Sequence, residues 1–205
     1  MHTDAAQSVG KIAVDVAALG VDLLTIVGHK AYAPKGIAAL YVAPGVQLHP
    51  VIGGGGQEGG LRAGTENVPH IVGLGRAGEL AAALAGGEST RLTALRDRLH
   101  HLLEELLPGR VHLNEHPTDR LPNTLNVSID RTRALTVLDR LETVAASAGS
   151  ACHSGQDKPS PVLTAMGAPY DRAVAALRFS LGRWTTNEEL DQAAERVAAV
   201  ADVAS

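Results

Sequence analysis

The 205-residue sequence predicts an α/β or α+β fold. Three observations predict it. Short apolar runs of strand length alternate with longer segments whose apolar residues recur every three or four positions. Glycine and proline punctuate the joints, as at Pro44-Gly45 and Pro108-Gly109. Hydrophobic residues make up 45% of the chain but aromatics only 2%, so the core must be built from Ala, Val and Leu.

The elements follow in order. Residues 14–19 read as a short helix closed by Gly20, and residues 21–26 as a buried strand. Residues 38–42 read as a second strand, with Pro44-Gly45 as its turn. The run Gly53-Gly54-Gly55-Gly56 permits backbone shapes that other residues forbid, and close approach to a ligand or another chain. Taken alone, it is also what a flexible loop looks like. Residues 68–84 read as a helix, which Gly86-Gly87 is expected to break. Ser89 or Thr90 would then cap an amphipathic helix with Leu92, Leu95, Leu99, Leu102, Leu103 and Leu106 on one face. Pro108-Gly109 stops it.

Candidate strands follow at 111–113 and 124–129, then a helix at 134–141 and a strand-like stretch at 143–146. Residues 171–176 read as a helix and 177–181 as a strand. Thr186-Asn187-Glu188-Glu189 matches a capping box and opens a last helix, with Leu190, Ala194, Val197 and Val200 on one side. No internal repeat is evident. The glycine pair is the expected boundary between domains 1–87 and 88–205.

Composition excludes some functions. A net charge of −4 and few aromatics give neither the basic footprint nor the stacking platform of a nucleic-acid binder. The longest apolar region, 12–27, is broken by Asp15 and Asp22 and does not read as a membrane span. MHTDAAQS lacks the basic-then-apolar pattern of a secretion signal. Cys152 is the single cysteine, so no disulfide can form within the chain, and reducing, cytoplasmic surroundings are expected.

Several stretches concentrate reactive side chains. VGHKAYAPKG sets Lys30 just after the apolar run Leu23-Leu24-Thr25-Ile26-Val27. An ammonium at the end of a buried strand is costly unless it is paired or chemically used. An isolated lysine more often snorkels at a surface. Cys152 is flanked by Gly149, Ser150, Ser154 and Gly155, a polar setting unlike that of a buried structural cysteine, and one that suits a mobile loop.

Five stretches together resemble the cysteine desulfurases, the pyridoxal-phosphate enzymes that take sulfur from cysteine for iron–sulfur cluster assembly. They are HTDAAQ, GHK followed by PKG, GGGGQEGGLRAGTENV, GSACHSG and RFSLGRWTTNEELD. The resemblance covers essentially the whole chain and keeps the family's order. It implies the pyridoxal-phosphate-dependent transferase fold type I, a member of the class-V aminotransferase group. Residues 1–87 would be the C-terminal part of the cofactor-binding large domain. Residues 88–205 would be the small C-terminal α+β domain with the cysteine loop.

The resemblance also implies roles. Lys30 matches the lysine that forms a Schiff base with pyridoxal 5'-phosphate and shuttles the substrate's α-proton; burial that lowers its pKa would make the amine nucleophilic. Asp4 matches the aspartate facing the pyridine nitrogen, Gln7 the partner of the ring hydroxyl, and His29 a phosphate ligand. Thr65 matches a threonine that reaches the phosphate of a partner subunit, so a homodimer is implied, with Arg62 and the glycine run near the shared site. Cys152 matches the sulfur acceptor, whose thiolate becomes a persulfide. Arg178 matches the arginine that grips the substrate carboxylate, Arg183 is expected to be structural, and Trp184 to pack locally. The substrate implied is L-cysteine, the product L-alanine, and the onward partner a sulfur-acceptor protein such as an iron–sulfur scaffold.

The match departs from the family in three ways. Family chains are longer on the N-terminal side, where further cofactor contacts and sheet strands lie, so apolar strand edges are expected to be exposed here. Val27 stands where a phosphate-binding serine is usual, and Gly59 where an arginine is frequent. These departures leave a non-catalytic fragment or the partner-binding half of a split enzyme as alternatives. A selenocysteine lyase or another class-V aminotransferase is a further one.

Overall fold

The computed structural model describes residues 1–149 and 158–203. The chain divides into two compact units, Met1–Gly87 and Glu88–Ser205.

The first unit holds β1 (His2–Asp4), α1 (Val16–Leu19), β2 (Leu23–Val27) and β3 (Ala38–Val42). The α1 helix starts later than its apolar pattern suggests because Asp15 takes the capping position. Its carboxylate accepts from the N–H groups of Ala17 and Ala18 at 2.8 and 3.2 Å. Gly20 closes the helix in the left-handed region, at φ 61. The sheet order is β1-β2-β3. β1 runs parallel to β2, with Asp4 opposite Thr25, and β3 runs antiparallel to β2, with Ala38 opposite Val27. A small core of Ala5, Val21 and Leu24 packs with Val9, Val14, Val16, Ile26 and Tyr41. Ala38, Ala39 and Leu40 of β3 are exposed.

The expected break at Gly86-Gly87 does not occur. One helix, α2 (Val68–Leu106), is continuous through it. Each glycine costs a helix only about 1 kcal/mol relative to alanine. Buried Ala81 and Leu92 lie on either side of the pair, and Ser89 and Thr90 lie inside the helix instead of capping it. The leucine face also differs at its end: Leu106 is exposed and Leu107 is buried instead.

The second unit is an antiparallel sheet covered by helices. Its elements are β4 (Val111–Leu113), β5 (Thr124–Ile129), α3 (Ala134–Arg140), α4 (Pro161–Ala165), α5 (Tyr170–Val174), β6 (Ala176–Ser180) and α6 (Asn187–Val203). The strand order is β4-β5-β6, with Val127 opposite both Leu113 and Leu177. Leu125, Val127 and Ile129 of β5 point to one face and are fully buried. They pack with Leu99 and Leu103 of α2, Val137 of α3 and Val197 of α6. The capping box closes reciprocally: Thr186 N–H donates to Glu189 Oε2 at 2.9 Å, and Glu189 N–H to Thr186 Oγ1 at 3.2 Å.

Three further expectations are corrected in this unit. Residues 143–146 form no strand; Val144 and Ala146 pack against the core, and the next residue, Ser147, bridges to Arg178. The helix expected at 171–176 ends sooner, because Ala176 already pairs with Ser128 as the start of β6. Trp184, expected to pack locally, is 72% exposed. Cys152 and its neighbours at 150–157 lie outside the described residues. Among the described residues, no helix is long and apolar enough to cross a membrane.

Leu103 is fully enclosed, whereas Leu106 is exposed. Leu103→Ala should therefore destabilise the protein by about 2–5 kcal/mol. Leu106→Ala should be nearly silent. Urea unfolding followed by circular dichroism reads both, and equal effects would contradict the packing described.

Candidate functional site

Open α/β sheets gather ligands outside the carboxyl ends of their parallel strands. Here β1 and β2 end together at such an edge. Asp4, the last residue of β1, is exposed, and its Oδ1 accepts the N–H of Ala6 at 2.8 Å, which orients the carboxylate. Ala5 N–H donates to Thr25 O at 3.0 Å and carries the parallel pairing past the strand end. Gln7 is exposed in the turn that follows.

β2 leads into a 3-10 turn, Gly28–Ala31. A Cβ on Gly28 would stand 2.7 Å from Ile37 Cγ2 and 2.8 Å from the Ile37 carbonyl oxygen. That same oxygen accepts the Gly28 N–H at 3.0 Å. Only glycine lets the backbones approach so closely. Tyr32 ends the turn in the left-handed region, at φ 65, and donates its N–H to Gly28 O. His29 and Lys30 ride on this turn, and both are exposed. The expected burial of Lys30 is thus corrected: the apolar run stops at Val27, and the turn carries the lysine to solvent. Val27 itself makes no side-chain capping bond to the turn, which a hydroxyl at that position would be placed to do.

Lys11 was not among the residues expected here. It is half-buried, and its Nζ donates to the carbonyl oxygen of Lys30 at 2.9 Å. Burial holds its pKa below the ordinary 10.5, and the charge of Lys30 lowers it further. The available signal was the Gly10-Lys11 pair close behind Gln7, since a left-handed glycine (φ 77) reverses the chain there.

Thr65 lies elsewhere in the same unit. It lines a groove of about 920 Å³ together with Leu40, Ile52, Leu61 and Ile71. Arg62 is held by its own loop, donating from Nη1 to Gly64 O at 2.8 Å and pairing with Glu58 at 3.6 Å. Gly59 occupies the left-handed region at φ 63, where an arginine would be strained.

Arg178 sits in the second unit, midway along β6. Its N–H donates to Ser147 O at 2.7 Å, and its carbonyl accepts from Ser147 N–H at 3.1 Å. Its Nε is buried with no hydrogen-bond partner among the described residues. The chain after β6 is clamped by Arg91, which donates to the carbonyls of Gly182, Arg183 and Thr185 at 2.9–3.0 Å. Glu88 holds that guanidinium through two bonds of 2.9 Å. The structure thus gathers Asp4, Gln7, His29 and Lys30 at one sheet edge, with Thr65 in a groove of the same unit and Arg178 on the second sheet.

The model of the aminotransferase class-V family matches residues 1–193. A cysteine desulfurase of Gluconacetobacter diazotrophicus is 49% identical over 193 residues, which cover 93% of this chain and 48% of that protein. Cysteine desulfurase IscS of Methanosarcina thermophila is 47% identical over 199 residues, covering 96% and 48%. Among solved structures, a NifS-like protein superposes with a TM-score of 0.88 at 35% identity, covering 98% of this chain and 52% of that one. SspA in complex with cysteine superposes with a TM-score of 0.67 at 37% identity, covering 90% and 51%. The chain belongs to the class-V aminotransferase family, and its fold is part of the fold type I architecture. It spans about half the length of the curated relatives it matches.

The Glu88–Arg91 clamp carries a pH signature. The hydrogen bond from Arg91 is the largest cause that holds Glu88 below the ordinary glutamate value of 4.5; burial opposes it, and the charges of Arg91 and Arg183 assist. A depressed carboxylate stabilises the fold fully above that ordinary value and loses the contribution as pH falls through the folded pKa. Wild type should exceed Glu88→Gln in stability by about 1–2 kcal/mol at pH 7. The gap should close as pH drops from about 5 towards 3. Parallel denaturation curves that never converge would contradict this.

Proposed function

We propose that this chain carries the lysine-bearing part of a cysteine desulfurase that works with pyridoxal 5'-phosphate. The observation that supports it best is the shared edge of β1 and β2, with Asp4 and Gln7 after one strand and His29 and Lys30 after the other. The donor set fits that cofactor. Lys30 offers an exposed amine for the aldehyde, Asp4 a carboxylate for the pyridine nitrogen, Gln7 an amide for the ring hydroxyl, and His29 an imidazole for the phosphate. When bound there, the cofactor supplies an electron sink for the carbon that bears the substrate's amine.

The chain's own residues supply the rest. Arg178 binds the L-cysteine carboxylate through its guanidinium, and its unpartnered buried Nε supports that role. Lys30 Nζ takes the proton from the substrate's α-carbon and returns it. The Cys152 thiolate attacks the substrate's sulfur. A sulfur–sulfur bond forms and the carbon–sulfur bond breaks, its electron pair staying on the β-carbon, which takes up a proton. The products are L-alanine and a Cys152 persulfide, with every atom accounted for. The neighbour solved in complex with cysteine supports the choice of substrate.

The reading extends to a homodimer. Thr65 lines a groove beside Val51 and Ile52, which are 97% and 63% exposed. A second copy covering those side chains would bring Thr65 to the partner's phosphate. The persulfide would pass to a sulfur-acceptor protein of the cytoplasm, for iron–sulfur cluster or thio-cofactor synthesis.

Absorption spectroscopy with added pyridoxal phosphate tests the cofactor assignment. A band at the violet edge of the visible should form with wild type and be lost in Lys30→Ala. Absence of the band in wild type would overturn the reading and favour a partner-binding fragment. Sulfide release from L-cysteine tests the acceptor. Cys152→Ala should keep the band and lose sulfide release; unchanged release would remove Cys152 from the reaction.

A further inference from the structure

The turns after β1 and β2 come from separate stretches of chain, and one cation joins them. After Asp4 the backbone folds back on itself. Ser8 and Val9 donate their N–H groups to Ala5 O at 3.0 Å, and Lys11 and Ile12 donate theirs to Ser8 O at 3.0 and 3.1 Å. Gly10 lies in the left-handed region at φ 77, and a Cβ there would come within 3.2 Å of Ala81 Cβ. This path delivers the Lys11 ammonium to the carbonyl of Lys30, 2.9 Å away.

We infer that Lys11 is a positioning residue for Lys30, holding the Gly28–Ala31 turn against the loop that carries Asp4 and Gln7. The chemical consequence rests on the desulfurase reading above; the mechanical one does not. The turn needs such support. It is a single 3-10 turn closed by the N–H groups of Tyr32 and Ala33 on Gly28 O, and 3-10 hydrogen bonds have poor geometry. A bond to the carbonyl of Lys30 fixes the peptide plane next to its Cα, and hence the direction in which the side chain leaves. A displacement of about 1 Å at a reacting group can lower a rate by about a hundredfold. The depressed pKa of Lys11 agrees with a cation held against burial and against its neighbour for the sake of this bond.

Amide hydrogen exchange of the full chain tests the mechanical part. Lys11→Met should speed exchange at Tyr32 and Ala33 by about fivefold, while the β5 amides stay protected. Lys11→Arg should restore protection. If Lys11→Met does not fold, Lys11→Gln makes the same comparison. Unchanged exchange at Tyr32 and Ala33 would overturn the inference. Borohydride trapping of pyridoxal phosphate, with the labelled lysine located by mass spectrometry, tests the chemical part. Labelling of Lys30 should slow about tenfold in Lys11→Met and recover in Lys11→Arg. Faster exchange with unchanged labelling would make Lys11 structural only and overturn the positioning role. Wild type that takes no label at Lys30 would sink the cofactor reading, while the exchange result would still decide whether Lys11 holds the turn.

Discussion

The first unit depends on one close approach, Gly28 against Ile37. The Gly28 N–H bonds to the Ile37 carbonyl at 3.0 Å, and a Cβ on Gly28 would lie 2.8 Å from that same oxygen. This contact ends β2 at Val27, forces the chain into its 3-10 turn and returns it in register, so that Ala38 faces Val27 at the start of β3. His29 and Lys30 occupy the only residues between the contact and the buried Ala31. The place where His29 and Lys30 leave the sheet is therefore set by a packing constraint at a residue with no side chain.

Legibility in the sequence followed the range of the interaction responsible. The capping box of α6 is contained within Thr186 to Glu189, so four consecutive residues are enough to reveal it. β3 is bounded by turn residues and shows its strand pattern locally. β1 has only three residues and no pattern of its own; its pairing with β2, from His2 opposite Leu23, is what makes it a strand. The glycine pair at 86–87 carries a local penalty of only about 1 kcal/mol per residue, too small to break a helix buried on both sides of it, at Ala81 and Leu92. The sequence suggested a buried lysine because an apolar run precedes it, but the run ends one turn too early.

The second unit also holds the opposite extreme, side-chain networks that nothing local announces. Asn114, Ser128 and Arg172 close a ring of bonds: Arg172 Nε to Asn114 Oδ1 at 2.8 Å, Asn114 Nδ2 to Ser128 Oγ at 2.8 Å, and Ser128 Oγ to Arg172 O at 2.6 Å. Ser128 and Asn114 are buried, so a missing partner would leave a polar group unsatisfied at about 1–3 kcal/mol. Arg91 likewise spans 91 residues to reach Gly182 O. Neither arrangement leaves a periodic trace. Both flank β6, one tying the helix that precedes it to β4 and β5, the other fixing the chain that follows it. Arg178 is thereby held from both ends of its strand.

The two lysines at the edge divide a conflict that one residue could not resolve. Under the proposed function the Lys30 amine has to be reachable by an aldehyde, and Lys30 is exposed at the end of its turn. Exposure brings freedom, and freedom works against a fixed direction of approach. Burial of Lys30 would remove that freedom but would also close the path to the amine. Lys11 supplies the restraint without obstructing the path, because it grips the backbone of Lys30 and leaves the side chain alone. The burden of burial falls on Lys11, whose pKa is lowered by it, while Lys30 stays exposed. On this view the apolar run before Lys30 serves to anchor the turn, and the reactivity of the site comes from where the lysine is pointed.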